Sequence, residues 1–151
     1  MADPSGALWL QSLPKAKLVW GDHLSSYGMS RKVGLSFDDA VSRVTELLKG
    51  KGFGVLTRID IQATMKEKLG VDGEPYVILG ACNPNLAHQA LGLEHDIGLL
   101  LPCNVIVYKK GDRTTVAALD PEAALGVAGN QDLLPVASEA RERLKSVIES
   151  M

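Results

Sequence analysis

The sequence has few aromatic residues, few cysteines and no long apolar run. Aromatic residues make up 5% of its 151 residues, and only two residues are cysteines. Two cysteines do not form the disulfide framework that holds small secreted domains together. No stretch of about 20 apolar residues is present, so we expect no transmembrane helix and no membrane partner. These absences predict a protein of the reducing cytoplasm.

The charge balance lacks an excess of basic residues. Lysine and arginine together number 16 and the acidic residues 18, which gives a net charge of −2. Domains that bind nucleic acid usually carry a clearly basic surface. We therefore expect no nucleic acid among the partners of this protein.

Known catalytic motifs are also missing. The sequence contains neither a G-x-S-x-G nor an H-E-x-x-H motif. The glycine-rich stretch 49–54 (KGKGFG) is similar to a phosphate loop, but here a helical pattern precedes it and a strand pattern follows. Phosphate loops run in the opposite order, from strand to helix. This stretch predicts a helix end, and the sequence predicts no particular cofactor or reaction.

Apolar spacing along the rest of the chain predicts the order β-α-β-α-β-α-β-β-α. Helices are expected after the capping residues Ser36, Asp60 and Asn83, and a long closing helix from Val136 onward. Strands are expected over 27–35, 53–59, 76–82, 103–108 and 114–119. The hairpin turn at 109–112 requires antiparallel pairing, so the pattern predicts an α+β fold with helices packed on a mixed sheet.

Residues 1–26 differ from this pattern. A short apolar patch at 8–13 is broken by Pro14 and followed by Lys15 and Lys17, the reverse of a secretory signal. We interpret 1–26 as a leader or N-terminal extension and 27–151 as a single α+β domain. The alternative is a segment that docks on a partner through Trp9 and Trp20.

The most informative stretch runs from Pro75 to Tyr108. Its two apolar runs each carry a Cys-Asn pair, Cys82-Asn83 and Cys103-Asn104. Cys82 falls where a strand passes into a helix, and the helix N-terminus there favours the thiolate. Cys82 is thus a candidate nucleophile or metal ligand, although a free cysteine also packs well as a small core residue.

The sequence allows three relationships between Cys82 and Cys103. If the two strands are neighbours, Cys82 and Cys103 form a disulfide, share a metal or are unrelated core residues. Asn83 is explained as a helix cap. Asn104 interrupts an apolar strand, and a buried amide needs partners, so Asn104 either ties down a loop or faces a ligand. We predict that the two Cys-Asn pairs converge at the mouth of a concavity.

A zinc site built from Cys82, His88, His95 and Cys103 is a further hypothesis. The ligand types suit zinc, but structural zinc sites usually pair ligands two to four residues apart, and none is so paired here. His88 also falls on the polar side of its helical pattern, so we expect it to be exposed. The sequence therefore assigns no metal ligands.

Several of these segments resemble the domain of unknown function 302 family. They are Gly52–Leu56, Ile59-Asp60, Lys66–Gly70, Tyr76–Pro84 (YVILGACNP), Ala87–Leu91 and Ile97–Tyr108 (IGLLLPCNVIVY). The resemblance covers roughly 27–151. It implies a curved, mainly antiparallel sheet backed by helices, as in the TATA-binding protein, and a homodimer, but no established activity. Its motif positions make Cys82, Asn83, Pro84, Cys103 and Asn104, and secondarily Asp60, the candidate ligand-binding residues.

Three functions remain in consideration. The first is a small dimeric binding or sensor module with a small-molecule or metal pocket near Cys82 and Cys103. The second is a thiol-dependent enzyme with Cys82 as the nucleophile, which would need a base such as His88 or His95. The third is a purely structural interaction domain with both cysteines in the core.

Overall fold

The structure, a computed structural model, describes residues 25–151. Its strands are β1 (Gly28–Val33), β2 (Gly54–Asp60), β3 (Tyr76–Cys82), β4 (Cys103–Lys110) and β5 (Arg113–Leu119). Its α-helices are α1 (Phe37–Gly50), α2 (Ile61–Leu69), α3 (Pro84–Leu93), α4 (Pro121–Gly126) and α5 (Leu134–Glu149), with short 3-10 helices at His95–Leu100 and Gln131–Leu133. Apart from its last two residues, the predicted leader 1–26 lies outside the described residues.

The five strands form one sheet in the order β1-β5-β4-β3-β2, and every neighbouring pair is antiparallel. The predicted α+β architecture, an antiparallel sheet backed by helices, is confirmed. The mixed sheet expected from the pattern alone is wrong. β1 and β2 do run in the same direction, but they occupy opposite edges of the sheet with three other strands between them.

The core lies between one face of the sheet, here called the inward face, and helices α1 and α5. Alternate residues of the central strands point inward, and seven of them are at most 1% exposed: Val77, Leu79, Ala81, Val105, Val107, Val116 and Ala118. From the helices, Val44, Leu48, Leu144 and Val147 are buried to the same degree. The helical spacing that predicted α1 is therefore the spacing of the residues that this helix buries.

The other face of the sheet, here called the outward face, is less polar than an exposed sheet face usually is. Ile78, Ile106 and Ala117 lie on it and are half-buried. Tyr76 and Tyr108 stack there, with ring centroids 5.5 Å apart and planes 11° from parallel. A Cβ at Gly80 would collide with the Thr57 hydroxyl oxygen on the neighbouring strand. The absence of a side chain at Gly80 thus lets β2 pack closely on β3.

Side-chain caps fix where three helices begin. The Ser36 hydroxyl accepts a hydrogen bond from the Asp39 amide at 3.1 Å, and Asp60 Oδ1 accepts one from the Ala63 amide at 2.9 Å. Asn83 Oδ1 accepts a bond from the Leu86 amide at 3.2 Å. All three predicted caps are confirmed. Helices α1 and α2 start at the end of the sheet near the β4–β5 hairpin, here called the hairpin end, and α3 starts at the opposite end.

None of the helices within 25–151 is both long enough and apolar enough to span a bilayer.

Candidate functional site

Cys82 and Cys103 lie together at the end of the sheet opposite the hairpin end, here called the cysteine end. Cys103 pairs with Ala81, the residue before Cys82, so the two cysteines lie at the same end of the neighbouring strands β3 and β4. Both thiols are free and half-buried. Both also line a cavity of about 30 Å³ that is walled mainly by apolar side chains. The structure therefore brings the two predicted cysteines to one place.

Asn83 belongs to the same place. Its side chain is 5% exposed, caps α3 and also lines the cavity. Pro84, the next residue, is the first residue of the helix, where proline costs no hydrogen bond because that backbone N–H would be unpaired anyway. The turn from β3 into α3 thus explains both residues of the Asn83-Pro84 pair: Asn83 caps the helix and Pro84 begins it.

The chemical state of Cys103 follows from its surroundings. Burial raises the pKa of the Cys103 thiol to about 11, and the nearby Cys82 thiol acts in the same direction. A thiol with this pKa is protonated at neutral pH, whereas the thiolate is the form that attacks or binds metal. Cys103 is therefore unreactive at neutral pH unless something displaces its proton.

Among the described residues, no histidine stands beside the cysteines. His88 and His95 are exposed, and neither lines the cavity. Throughout 25–151, no group of three His, Cys, Asp or Glu side chains comes close enough to hold a metal ion. In this part of the chain, the four-ligand arrangement considered from the sequence is not assembled.

Asn104 lies elsewhere. It pairs with Gly80 on the outward face, is exposed and does not line the cavity. The expectation that Asn104 is a buried amide is wrong, because the strand residue that follows a half-buried inward cysteine points to the opposite face. Only three of the four Cys-Asn residues line the cavity.

Asp60 also lies apart from the cysteines, at the hairpin end. It pairs with Val77 at the start of β3, whereas Cys82 ends that strand. At about 3.4 Å per residue, this separates them by roughly 17 Å. Asp60 caps α2 and lines a groove of about 610 Å³ at that end, here called the hairpin groove.

Sequence reasoning did not find the hairpin groove. Its charged lining residues are Asp38, Arg58, Asp60, Lys109 and Asp112. A usable signal was present: Arg58 and Asp60 are two residues apart in a strand and so share one face. Two charges on the inward face of β2 indicate that the helices leave this corner of the sheet uncovered.

The comparisons with known proteins agree with this architecture. The family model described as Domain of unknown function DUF302 matches residues 29–151. A crystal structure described as an uncharacterized conserved protein DUF302 from Bacillus stearothermophilus is similar, with a TM-score of 0.77 and 28% sequence identity. The similarity covers 83% of this chain and 98% of that one. The comparison with curated proteins finds no match. The resemblance inferred from the motifs is confirmed, and the chain belongs to the DUF302 family.

Proposed function

We propose that this protein is a homodimeric sensor module that binds a single soft metal ion, Cu(I), between Cys82 and Cys103. The observation that carries the proposal is that two free cysteines on neighbouring strands line one cavity of about 30 Å³. That volume is room for about one water molecule. Organic ligands need pockets of about 300 to 1,000 Å³, so the occupant that fits this cavity is a single ion.

The donor set favours copper over other soft metals. Among the described residues, two sulfur atoms are the only donors of the His, Cys, Asp and Glu types that line the cavity. Soft thiolates bind Cu(I), zinc and iron–sulfur clusters, but structural zinc and iron–sulfur clusters take four protein ligands. A two-sulfur site walled by apolar side chains therefore fits Cu(I) better than it fits zinc.

The protonation state of Cys103 gives this binding a pH dependence. The ion has to displace the proton of a thiol whose pKa is raised to about 11. The affinity for Cu(I) should therefore rise with pH. The exposed positions of His88 and His95, neither of which lines the cavity, argue against the thiol-dependent enzyme with Cys82 as nucleophile. Two free thiols also fit the reducing cytoplasm, where we place the protein.

The test is anaerobic Cu(I) titration in competition with bicinchoninate, a coloured Cu(I) chelator. We expect the full chain to take one Cu(I), and Cys82→Ser and Cys103→Ser each to lose it. Met65 is an exposed sulfur on α2, and Met65→Leu is the matched control that should bind normally. Circular dichroism checks that each variant is folded. A folded wild-type chain that takes no Cu(I), or a Cys82→Ser variant that binds as well as wild type, would overturn the proposal.

The dimer is proposed to form through the outward face, with a second copy as the occupant. In an antiparallel sheet with one solvated face, outward positions are usually polar, but Ile78, Ile106 and Ala117 are apolar. No acidic or basic residue is found on the outward face of β3 between Tyr76 and Gly80, so a strongly charged partner would gain little there. A twofold interface must complement itself, and a neutral apolar patch does so without unpaired charges.

Mass measurement in solution tests this dimer. We expect the wild-type chain at micromolar concentration to have twice the monomer mass by light scattering, and Ile106→Glu to have the monomer mass. Leu99→Glu is the control: Leu99 is 88% exposed and belongs to a 3-10 helix rather than to the sheet, so its substitution should leave the dimer intact. A monomeric wild-type chain would refute the dimer and leave the copper proposal standing.

A further inference from the structure

The hairpin groove lies at the far end of β3 from the cysteines, so a ligand there would be independent of the copper site. Its volume of about 610 Å³ is within the range of small-molecule sites. It is formed where the loop from β1 into α1, the start of α2 and the β4–β5 hairpin approach one another. The walls of the groove therefore come from separate stretches of chain that the sheet holds in place.

The groove exists because the helices cover the inward face unequally. α1 packs over β2, β4 and β5, α5 packs over β5 and β1, and both contribute fully buried residues to the core. At the hairpin end of β2, by contrast, Arg58 and Asp60 occupy inward positions and are exposed. This corner of the sheet is uncovered and carries charge instead of an apolar surface.

Charges of both signs line the groove without neutralising each other. Arg58 and Lys109 supply two cations, and Asp38, Asp60 and Asp112 supply three carboxylates. Within 25–151, neither cation forms a salt bridge with any of the three carboxylates, so each N···O distance exceeds 4.0 Å. Opposite charges that share a groove but do not pair are available to a ligand that carries both.

The groove also has an apolar component. Leu35, Phe37 and Pro75 line it beside the charged groups. Arg58 lies on β2 and Lys109 on β4, two strands away, which separates their backbones by roughly 10 Å. The ligand must therefore be long enough to reach from one strand to the other and must have apolar groups between its charged ends.

The geometry points to a binding site for a short zwitterionic peptide in the hairpin groove. The peptide carboxylate pairs with Arg58 or Lys109, its ammonium group pairs with Asp112 or Asp38, and apolar side chains lie on Leu35 and Phe37. A dipeptide such as Leu-Leu has both charges at its ends and two apolar side chains.

Three matched peptides test the assignment. The probes are Leu-Leu, N-acetyl-Leu-Leu, which lacks the ammonium group, and Leu-Leu-amide, which lacks the carboxylate. Titration into the ¹⁵N-labelled full chain is followed by NMR shifts of the backbone amides. We expect Leu-Leu to shift Gly34, Gln62 and Asp112 and to bind about two- to fivefold more tightly than either capped peptide, the amount expected for one exposed charge pair.

Variants then test the named side chains. Arg58→Gln and Asp112→Asn should each weaken Leu-Leu binding by about fivefold. Arg43→Gln and Asp96→Asn are the matched controls, because both residues are exposed and neither lines the groove, and they should bind as wild type does. Equal affinity for all three peptides, unaltered spectra, or shifts confined to the cysteine end would overturn the assignment.

Discussion

At the scale of single residues, Cys103 links stability to pH. Its pKa is raised to about 11 in the folded chain, while an unfolded cysteine has a pKa of about 8.5. Between these values the unfolded chain has lost a proton that the folded chain keeps, so stability falls as the pH rises. We expect a loss of about 2.5 kcal/mol between pH 8.5 and 11 that is absent in Cys103→Ala.

Urea unfolding at several pH values measures this effect. Lysines and tyrosines also titrate in this range, so the informative quantity is the difference between wild type and Cys103→Ala at each pH. Well below pH 8.5 that difference should be constant, because the thiol is then protonated in both states. A difference that stays constant up to pH 11 would show that Cys103 is not desolvated.

Gly80 provides a second prediction at this scale. A Cβ there would collide with Thr57 Oγ1 and would lie 3.0 Å from Pro102 Cγ. Gly80→Ala should therefore destabilise the chain by about 1 to 3 kcal/mol, because the overpacked neighbours must move. Urea unfolding measures the change.

The Thr57→Ala background is the control for Gly80→Ala. Removing Oγ1 relieves the closer of the two contacts, so the same glycine substitution should cost less there. An equal cost in both backgrounds would mean that Thr57 does not explain the need for glycine.

The sequence predicted individual residues well where a local rule applied. Caps at Ser36, Asp60 and Asn83 depend only on the residues next to them, and all three are present. The grouping of residues depends on which strands become neighbours. Cys82 and Cys103 meet because β3 and β4 pair, whereas Asp60 and Asn104 are carried to other surfaces by the direction and the pleat of the strands.

At the scale of elements, the Asn83 cap of α3 should make a measurable contribution to the free energy of unfolding. Asn83 is buried and its side-chain oxygen accepts the Leu86 amide hydrogen bond at 3.2 Å. Asn83→Ala should cost about 1 to 2 kcal/mol in the free energy of unfolding, because the amide loses its partner inside the protein. Asn83→Asp, which keeps a capping oxygen, should cost less.

Asn85→Ala is the control for this substitution. Asn85 is exposed in the first turn of α3, and its side chain makes no hydrogen bond within 25–151. Thermal denaturation of the three variants should place Asn85→Ala near wild type and Asn83→Ala lowest. If Asn83→Ala unfolds at the same temperature as wild type, the cap contributes nothing to stability.

The sequence also predicted the elements better than their arrangement. Periods of two and 3.6 residues identify strands and helices, and the observed order agrees with the expected one except for the additional short helix α4. The same periods carry no information about which strand lies beside which. The pattern predicted a mixed sheet, but α2 has only nine residues, none of them buried, and β3 returns directly beside β2 in the antiparallel direction.

At the scale of the whole molecule, stability should be distributed unevenly. Helix α1 buries Ala40, Val41, Val44 and Leu48, whereas α2 buries none of its residues. Few buried contacts make local opening easy. We expect amides of α2 to exchange with deuterium at least about tenfold faster than the central amides of α1, measured by mass spectrometry. Equal protection of both helices would mean that α2 opens only when the whole chain unfolds.

The irregular edge of the sheet has a consequence for behaviour at high concentration. Within the described sheet β2 pairs with β3 alone, so its other side carries backbone groups that a strand from another molecule could join. Its register shifts between Val55 and Thr57, which leaves Leu56 69% exposed. An incoming straight strand loses its hydrogen-bond register at that point. The register shift in β2 therefore disfavours edge-to-edge association of molecules into filaments at high protein concentration.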